Sequence, residues 1–309
     1  MAAINLKEMS KQPEGLSSGH RLCAGCAGGI IVRQILHAAP GPVIAVNATC
    51  CLEVTTSVYP TTAWNVPWVH NAFENASATA SGVEAAYKAL KKEGAIDKDI
   101  KIVIFGGDGS TFDIGLQSLS GALERGHDFV YVCYDNEAYM NTGIQRSSAT
   151  PRGASTMTSP VGSASSGKAQ VRKNMTEVVA AHRAPYVAQA SPSNWRDLMV
   201  KAQKAFAVEG PAFLNVISPC VPGWRYESNE TIKLARLAVD TCYWPLYEVE
   251  NGRKYTVTYK PREKKPLAEY LGKQGRFRHL LQPKFADELA AMQAEVDAEW
   301  AELLRRSGS

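Results

Sequence analysis

KIVIFGGDGS, residues 101–110, passes from an unbroken apolar run into a Gly-Asp-Gly turn, and IGLQSLSGALERG at 114–126 continues with helical spacing. A short apolar run bounded by glycines reads as a strand buried on both faces, as in a parallel sheet. Similar runs recur at 42–49, 128–135, 185–190 and 211–218, with amphipathic stretches at 28–39, 76–94, 175–183 and 194–210 between and around them. Strands alternating with helices imply crossover connections and an α/β doubly wound parallel sheet. Ligands bind beyond the carboxyl ends of such strands, which is where the Gly-Asp-Gly turn falls.

Bulk properties narrow the classes. The chain has 309 residues, 45% hydrophobic and 21% charged, with a formal net charge of +4. That charge is too small for so long a chain to indicate nucleic acid, and Lys and Arg do not cluster with aromatics. The first twenty residues lack the apolar core of a signal peptide, and no run of about 18 apolar residues occurs. The expectation is a cytoplasmic protein with no membrane and no nucleic-acid partner. Seven cysteines, an odd number, argue against a disulfide framework and towards thiolate chemistry. Cys133 and Cys242 lie in apolar settings and read as core residues.

Glycines let a ligand approach the backbone, and a strand-to-helix turn presents free N–H groups to an anion. An aspartate beside a phosphate needs a cation between them, and Mg²⁺ takes hard oxygen ligands while sharing its shell with phosphates. Gly107, Asp108, Gly109 and Ser110 are therefore candidate binding residues, although Asp-Gly is also an ordinary turn dipeptide. Asn136, in DNEAYMN, follows Asp108 by 28 positions, with one helix and one strand between them. The chain thus returns to the same sheet edge, where Asn136 can join Asp108 around a metal. Cys23 and Cys26 form CAGC just before a helix, a pattern open to zinc, iron–sulfur or a redox dithiol. Cys50–Cys51 and Cys220 each follow an apolar run. Strand ends converge in a parallel sheet, and four sulfur ligands there suit zinc or a [4Fe–4S] cluster equally.

The Gly-Asp-Gly…Asn spacing resembles the thiamine diphosphate enzymes. GHRLCAGC, NATCCLEV, the run from GDGSTFD to YDNEAYMNTG, and LNVISPCVPGWR together resemble the β subunits of the pyruvate:ferredoxin oxidoreductases, within the 2-oxoacid:ferredoxin oxidoreductase family. The resemblance covers about residues 19 to 250. It implies a diphosphate-binding domain at 19–240, preceded by an N-terminal arm at 1–18. A C-terminal extension at 241–309, ending in a helix at roughly 284–306, would make subunit contacts. It also implies thiamine diphosphate, with Mg²⁺ held by Asp108, Asn136 and the Ala138 carbonyl. Cys23, Cys26, Cys51 and Cys220 would hold a [4Fe–4S] cluster, with Cys50, where the family usually has glycine, a bystander. Asn141 matches an asparagine facing the reacting carbon and is the expected catalytic residue. His70 is expected to reach the cofactor, and His20 to anchor the cysteine loop. Glu53 and Glu74 read as salt-bridge or helix-terminal charges.

The implied activity is CoA-dependent oxidative decarboxylation of a 2-oxo acid, most commonly pyruvate, with electrons passing through the cluster to ferredoxin; run backwards, it fixes CO₂. The implied partners are an α subunit supplying the pyrimidine-binding domain, its glutamate and most substrate contacts, a γ subunit, and a ferredoxin-like δ subunit. Residues 136–173, rich in Ser, Thr, Gly and Ala, are expected to help close the site as a lid. Other readings are a branched-chain, aryl or oxalate-type substrate, a non-redox thiamine decarboxylase or synthase, and a zinc-stapled binding module.

Overall fold

A computed structural model describes residues 4–308, so the first three residues of the expected N-terminal arm and the final serine lie outside the described residues. In chain order the strands are β1 Val43–Ala48, β2 Trp68–Asn71, β3 Lys101–Gly107, β4 Val130–Asp135, β5 Tyr186–Ala190, β6 Ala212–Ile217, β7 Leu246–Glu250 and β8 Lys254–Tyr259. The α-helices are α1 Leu6–Met9, α2 Ala27–Ala38, α3 Cys51–Thr56, α4 Ala76–Lys92, α5 Leu116–Glu124 and α6 Met175–Ala181. They continue as α7 Trp195–Ala207, α8 Val221–Trp224, α9 Thr231–Asp240, α10 Leu267–Gly272 and α11 Ala286–Ser307.

The eight strands form one sheet in the order β2-β1-β3-β4-β6-β5-β7-β8. The first six are parallel, as expected, whereas β7 and β8 extend the sheet antiparallel at one edge. The apolar runs at 101–107 and 128–135 become central strands, almost wholly buried because helices cover both faces. On one face α2 and α7 pack Ile31, Ile35 and Leu198 against β1, β3 and β6. On the other, Ala80, Leu119, Val179 and Leu303 come from α4, α5, α6 and α11. Each large aliphatic side chain buried in this way contributes about 1.5–3 kcal/mol. A third cluster, with Trp224, Trp244, Tyr270 and Phe277, gathers the segments after β6.

The last helix keeps the spacing read from the sequence. Met292, Val296 and Leu303 are buried, while Phe285 and Leu289 pack partly against the third cluster, so the helix covers its own chain. Among the described residues no helix is long and apolar enough to cross a membrane.

Candidate active site

The register explains why a spacing of 28 residues brings Asp108 and Asn136 together. β3 and β4 are neighbours, Gly107 pairs with Tyr134, and each strand ends within one residue of its candidate ligand. After Gly107 the chain enters a π-helical turn, Gly109–Ile114, rather than going directly into the helix expected at 114–126. Ser110 Oγ and Thr111 Oγ1 both donate to the Gly107 carbonyl, at 2.8 and 2.7 Å, and tie the turn to the strand end. Glycine is required at 109 because a Cβ there would stand 2.2 Å from the Tyr139 ring, whose hydroxyl donates to the Gly109 carbonyl at 3.1 Å.

One cleft brings together residues 107–110, Asn136, Ala138, Asn141 and Cys51, with Thr49, Cys50 and Tyr134 completing its wall. Asn141 is exposed at this cleft. His70 stands one contact away on β2, its Nε2 2.8 Å from Thr49 Oγ1. Glu53 lies 3.8 Å from His70, an ion-pair position as expected of it. His20 Nε2 lies close to Gly29 at the start of α2, and its buried Nδ1 lacks a partner.

Asp108 is almost fully buried, and this burial, with Asp135 nearby, pushes its carboxyl well above the usual carboxylate range. Ser147 Oγ donates to Asp108 Oδ2 at 2.5 Å. The Asn136 side-chain oxygen faces Asp108 Oδ1 at 2.9 Å and the Ala138 carbonyl at 2.7 Å; turned over, its nitrogen would donate to both. At these two separations the oxygens are spaced like adjacent ligands of an octahedral magnesium shell, where metal–oxygen distances of 2.0–2.1 Å put neighbours about 2.9 Å apart. The donor chemistry and spacing of this corner therefore fit Mg²⁺.

The turn that aims these oxygens is strained. Glu137, between Asn136 and Ala138, has φ of 68°, which costs a non-glycine residue about 1–3 kcal/mol. Three of the polar backbone groups around it are held. Trp224 Nε1 donates to the Asn136 carbonyl at 2.8 Å, Asp135 Oδ1 accepts from the Glu137 N–H at 3.0 Å, and Thr150 donates to the Glu137 carbonyl at 2.6 Å.

The cysteine corner lies on the same rim. Cys26 and Cys220 are the N-caps of α2 and α8, and Cys51 is the first residue of α3. Helix N-termini favour negative charge on thiolates placed there. The CAGC loop docks on the segment after Cys220: Thr231 Oγ1 donates to the Gly25 carbonyl at 2.6 Å, and a Cβ on Gly25 would stand 2.2 Å from the Ser228 carbonyl. Burial and then the nearby Cys220, Cys50, Cys26 and Cys23 push the Cys51 thiol up. Burial, tempered by a backbone hydrogen bond from Gly223 and reinforced by Cys26 and Cys23, takes Cys220 to about 12. Cys51 and Cys220 thus each lie near Cys23 and Cys26. Among the described residues, however, no group of three or more His, Cys, Asp or Glu side chains is arranged to hold a metal ion. Cys50 turns the other way; its Sγ donates to the Ala48 carbonyl at 2.9 Å. Cys133 and Cys242 are buried core residues, as expected.

Ser147, Glu137, Trp224 and Thr150 did not stand out in the sequence. Only Glu137 carried a local signal, a charged residue between two candidate ligands. The expected lid is partly wall: Ser147, Ala149, Thr150 and Ala154 are buried, and most of the exposed positions lie at 141–146 and 157–171.

Comparison with known proteins gives the family. Residues 48–216 match the family described as thiamine pyrophosphate enzyme, C-terminal TPP binding domain. The chain is 53% identical to pyruvate synthase subunit PorB of Thermotoga maritima, over 97% of this chain and 96% of that one. It is 55% identical to the PorB subunit of Methanocaldococcus jannaschii, over 86% and 90%. Identity is 43% to ketoisovalerate oxidoreductase subunit VorB of Pyrococcus abyssi, over 94% and 92%. Among solved structures, a 2-oxoglutarate:ferredoxin oxidoreductase from Magnetococcus marinus has the same fold, with a TM-score of 0.57 at 19% identity over 88% of this chain and 97% of that one.

Proposed function

Since the chain belongs to the pyruvate synthase subunit PorB family, and so to an oxidoreductase that uses thiamine diphosphate on a 2-oxo acid, we propose that it is the β subunit of a pyruvate:ferredoxin oxidoreductase. Pyruvate is favoured because identity to the PorB subunits exceeds identity to VorB. The observation that carries the reading is the meeting of the Asp108, Asn136 and Ala138 oxygens in a cleft whose wall includes Cys51.

Asp108 Oδ1, Asn136 Oδ1 and the Ala138 carbonyl would hold Mg²⁺, and residues 107–110 would hold the diphosphate. Thiamine diphosphate supplies the electron sink that lets a 2-oxo acid lose CO₂. Asn141, at the open side of the cleft, orients the substrate, and His70 steadies the wall through Thr49. Cys23, Cys26, Cys51 and Cys220 would ligate a [4Fe–4S] cluster. Four cysteine thiolates are the ligand set that such clusters take. Cys51 would belong to both sites, and a cluster held there would supply an electron path towards ferredoxin, with CoA as the acceptor of the acyl group. Residues 1–18 and 241–309 would frame the 19–240 binding domain and make subunit contacts. An α subunit supplies the pyrimidine half of the cofactor site, and γ and ferredoxin-like δ subunits complete the complex.

The test is anaerobic purification of the complex, with iron, sulfide, magnesium and thiamine assays and turnover on a panel of 2-oxo acids. Four irons assigned to this subunit and fastest CoA-dependent ferredoxin reduction with pyruvate are expected. Zinc in place of iron, or decarboxylation without electron transfer, overturns the reading.

A further inference from the structure

Two carboxylates and the Arg276 guanidinium lie buried behind the metal corner, with half-buried Arg172 beside them. Glu137 Oε1 accepts from Arg172 at 2.9 Å and from the Tyr243 hydroxyl at 2.7 Å, and Glu137 Oε2 accepts from Arg276. Arg172 also donates to Asp135 at 2.5 Å. Both carboxylates and Arg276 are essentially inaccessible to solvent, and the two positive charges balance the two negative ones. The Arg276 guanidinium lies 4.1 Å from the centre of the Trp224 ring, and Trp224 holds the Asn136 carbonyl.

None of these side chains lines the cleft, so the cluster does not touch a bound cofactor there. What it fixes is the backbone between two proposed metal ligands. With Glu137 in the left-handed region, the Asn136 side chain and the Ala138 carbonyl converge on one point. An anchor that pulls the Glu137 side chain backwards from three directions keeps the chain in that conformation. Two of the anchors, Tyr243 and Arg276, come from the segment after residue 240, beyond the parallel part of the sheet.

We propose that Glu137 is a positioning residue for the cofactor metal, and that the C-terminal extension, through Arg276 and Tyr243, sets the geometry of the magnesium corner from behind. The inference rests on the reading of Asp108, Asn136 and Ala138 as metal ligands. Groups that orient metal ligands from outside the shell commonly change metal affinity by 10–100-fold. A clamp of this kind tightens metal binding without contacting the diphosphate.

The experiment uses the whole complex, depleted of magnesium and thiamine diphosphate, and follows uptake of added thiamine diphosphate by calorimetry across a Mg²⁺ titration. Cluster absorbance serves as the check that the protein is intact. Glu137→Gln keeps the shape and removes the charge; it should raise the half-saturating Mg²⁺ concentration about tenfold or more. Uptake should return to the wild-type level at saturating Mg²⁺. Tyr243→Phe removes one hydrogen bond and should raise it a few-fold, about 2–5-fold; it decides the matter if the Glu137 variant does not assemble. An unchanged Mg²⁺ midpoint overturns the proposal, and so does a loss of uptake that excess Mg²⁺ does not restore, since that marks a merely structural role. If the wild-type complex takes up thiamine diphosphate with no dependence on Mg²⁺, the metal-site reading itself falls and this inference falls with it.

Discussion

The Gly-Asp-Gly corner and the cysteine corner share one rim of one sheet, yet they are organised in opposite ways. At the first, the groups that aim the oxygens are held by the protein: Asp108 has Ser147, the Asn136 carbonyl has Trp224, and Glu137 has two arginines and a tyrosine. At the second, loops bring four thiols towards a common region, and burial and mutual proximity push the Cys51 and Cys220 thiols up. One corner is shaped before its ligand arrives. Under the proposed reading, a bound metal would hold the thiols of the other as thiolates, and that corner would gain stability from what it binds.

That contrast can be broken or sharpened by substitution. The largest effect is expected from Cys51→Ser, which should remove this subunit's share of the iron and cluster absorbance of the anaerobic complex and lower its melting temperature. Wild-type iron content together with wild-type stability would show that the cysteine corner does not depend on its ligand. Asp108→Asn comes next: thiamine diphosphate uptake should weaken by about 100-fold or more while cluster absorbance persists. Loss of both signals would show that the two corners are not separable. Ser147→Ala removes a single partner of Asp108 and should weaken Mg²⁺-dependent uptake by about tenfold, read by the same titration. Cys50→Ala should be the mildest, costing about 1 kcal/mol in denaturant unfolding and leaving iron content unchanged. A loss of iron there would assign the ligand to Cys50 instead of Cys51.

The two corners also differ in how far the sequence announces them. Runs such as KIVIFGG and DFVYVCYD are apolar throughout because both faces of their strands are covered, so the parallel core could be read directly. β2 is only four residues long with no residue buried, and β7 and β8 sit among charged residues at a sheet edge, so none of them stood out. Asp108 and Asn136 were legible because one helix and one strand return the chain to an adjacent strand end. Their supports were not. Ser147 lies 39 positions from Asp108, Trp224 lies 88 from Asn136, and Arg276 lies 139 from Glu137; such contacts arise only when the tertiary fold closes. The π-helical turn, which precedes the helical spacing read at 114–126, gives no periodic signal of its own over six residues.

Cys51 stands in the wall of the cofactor cleft and also faces the other three cysteines. Under the proposed chemistry, damage by air would then not stay where it began: when oxygen strips the iron, the thiamine pocket loses part of its lining in the same event. Bleaching and leakage of the vitamin cofactor during storage would run on a single clock, and a preparation that has faded could not be revived by adding thiamine alone.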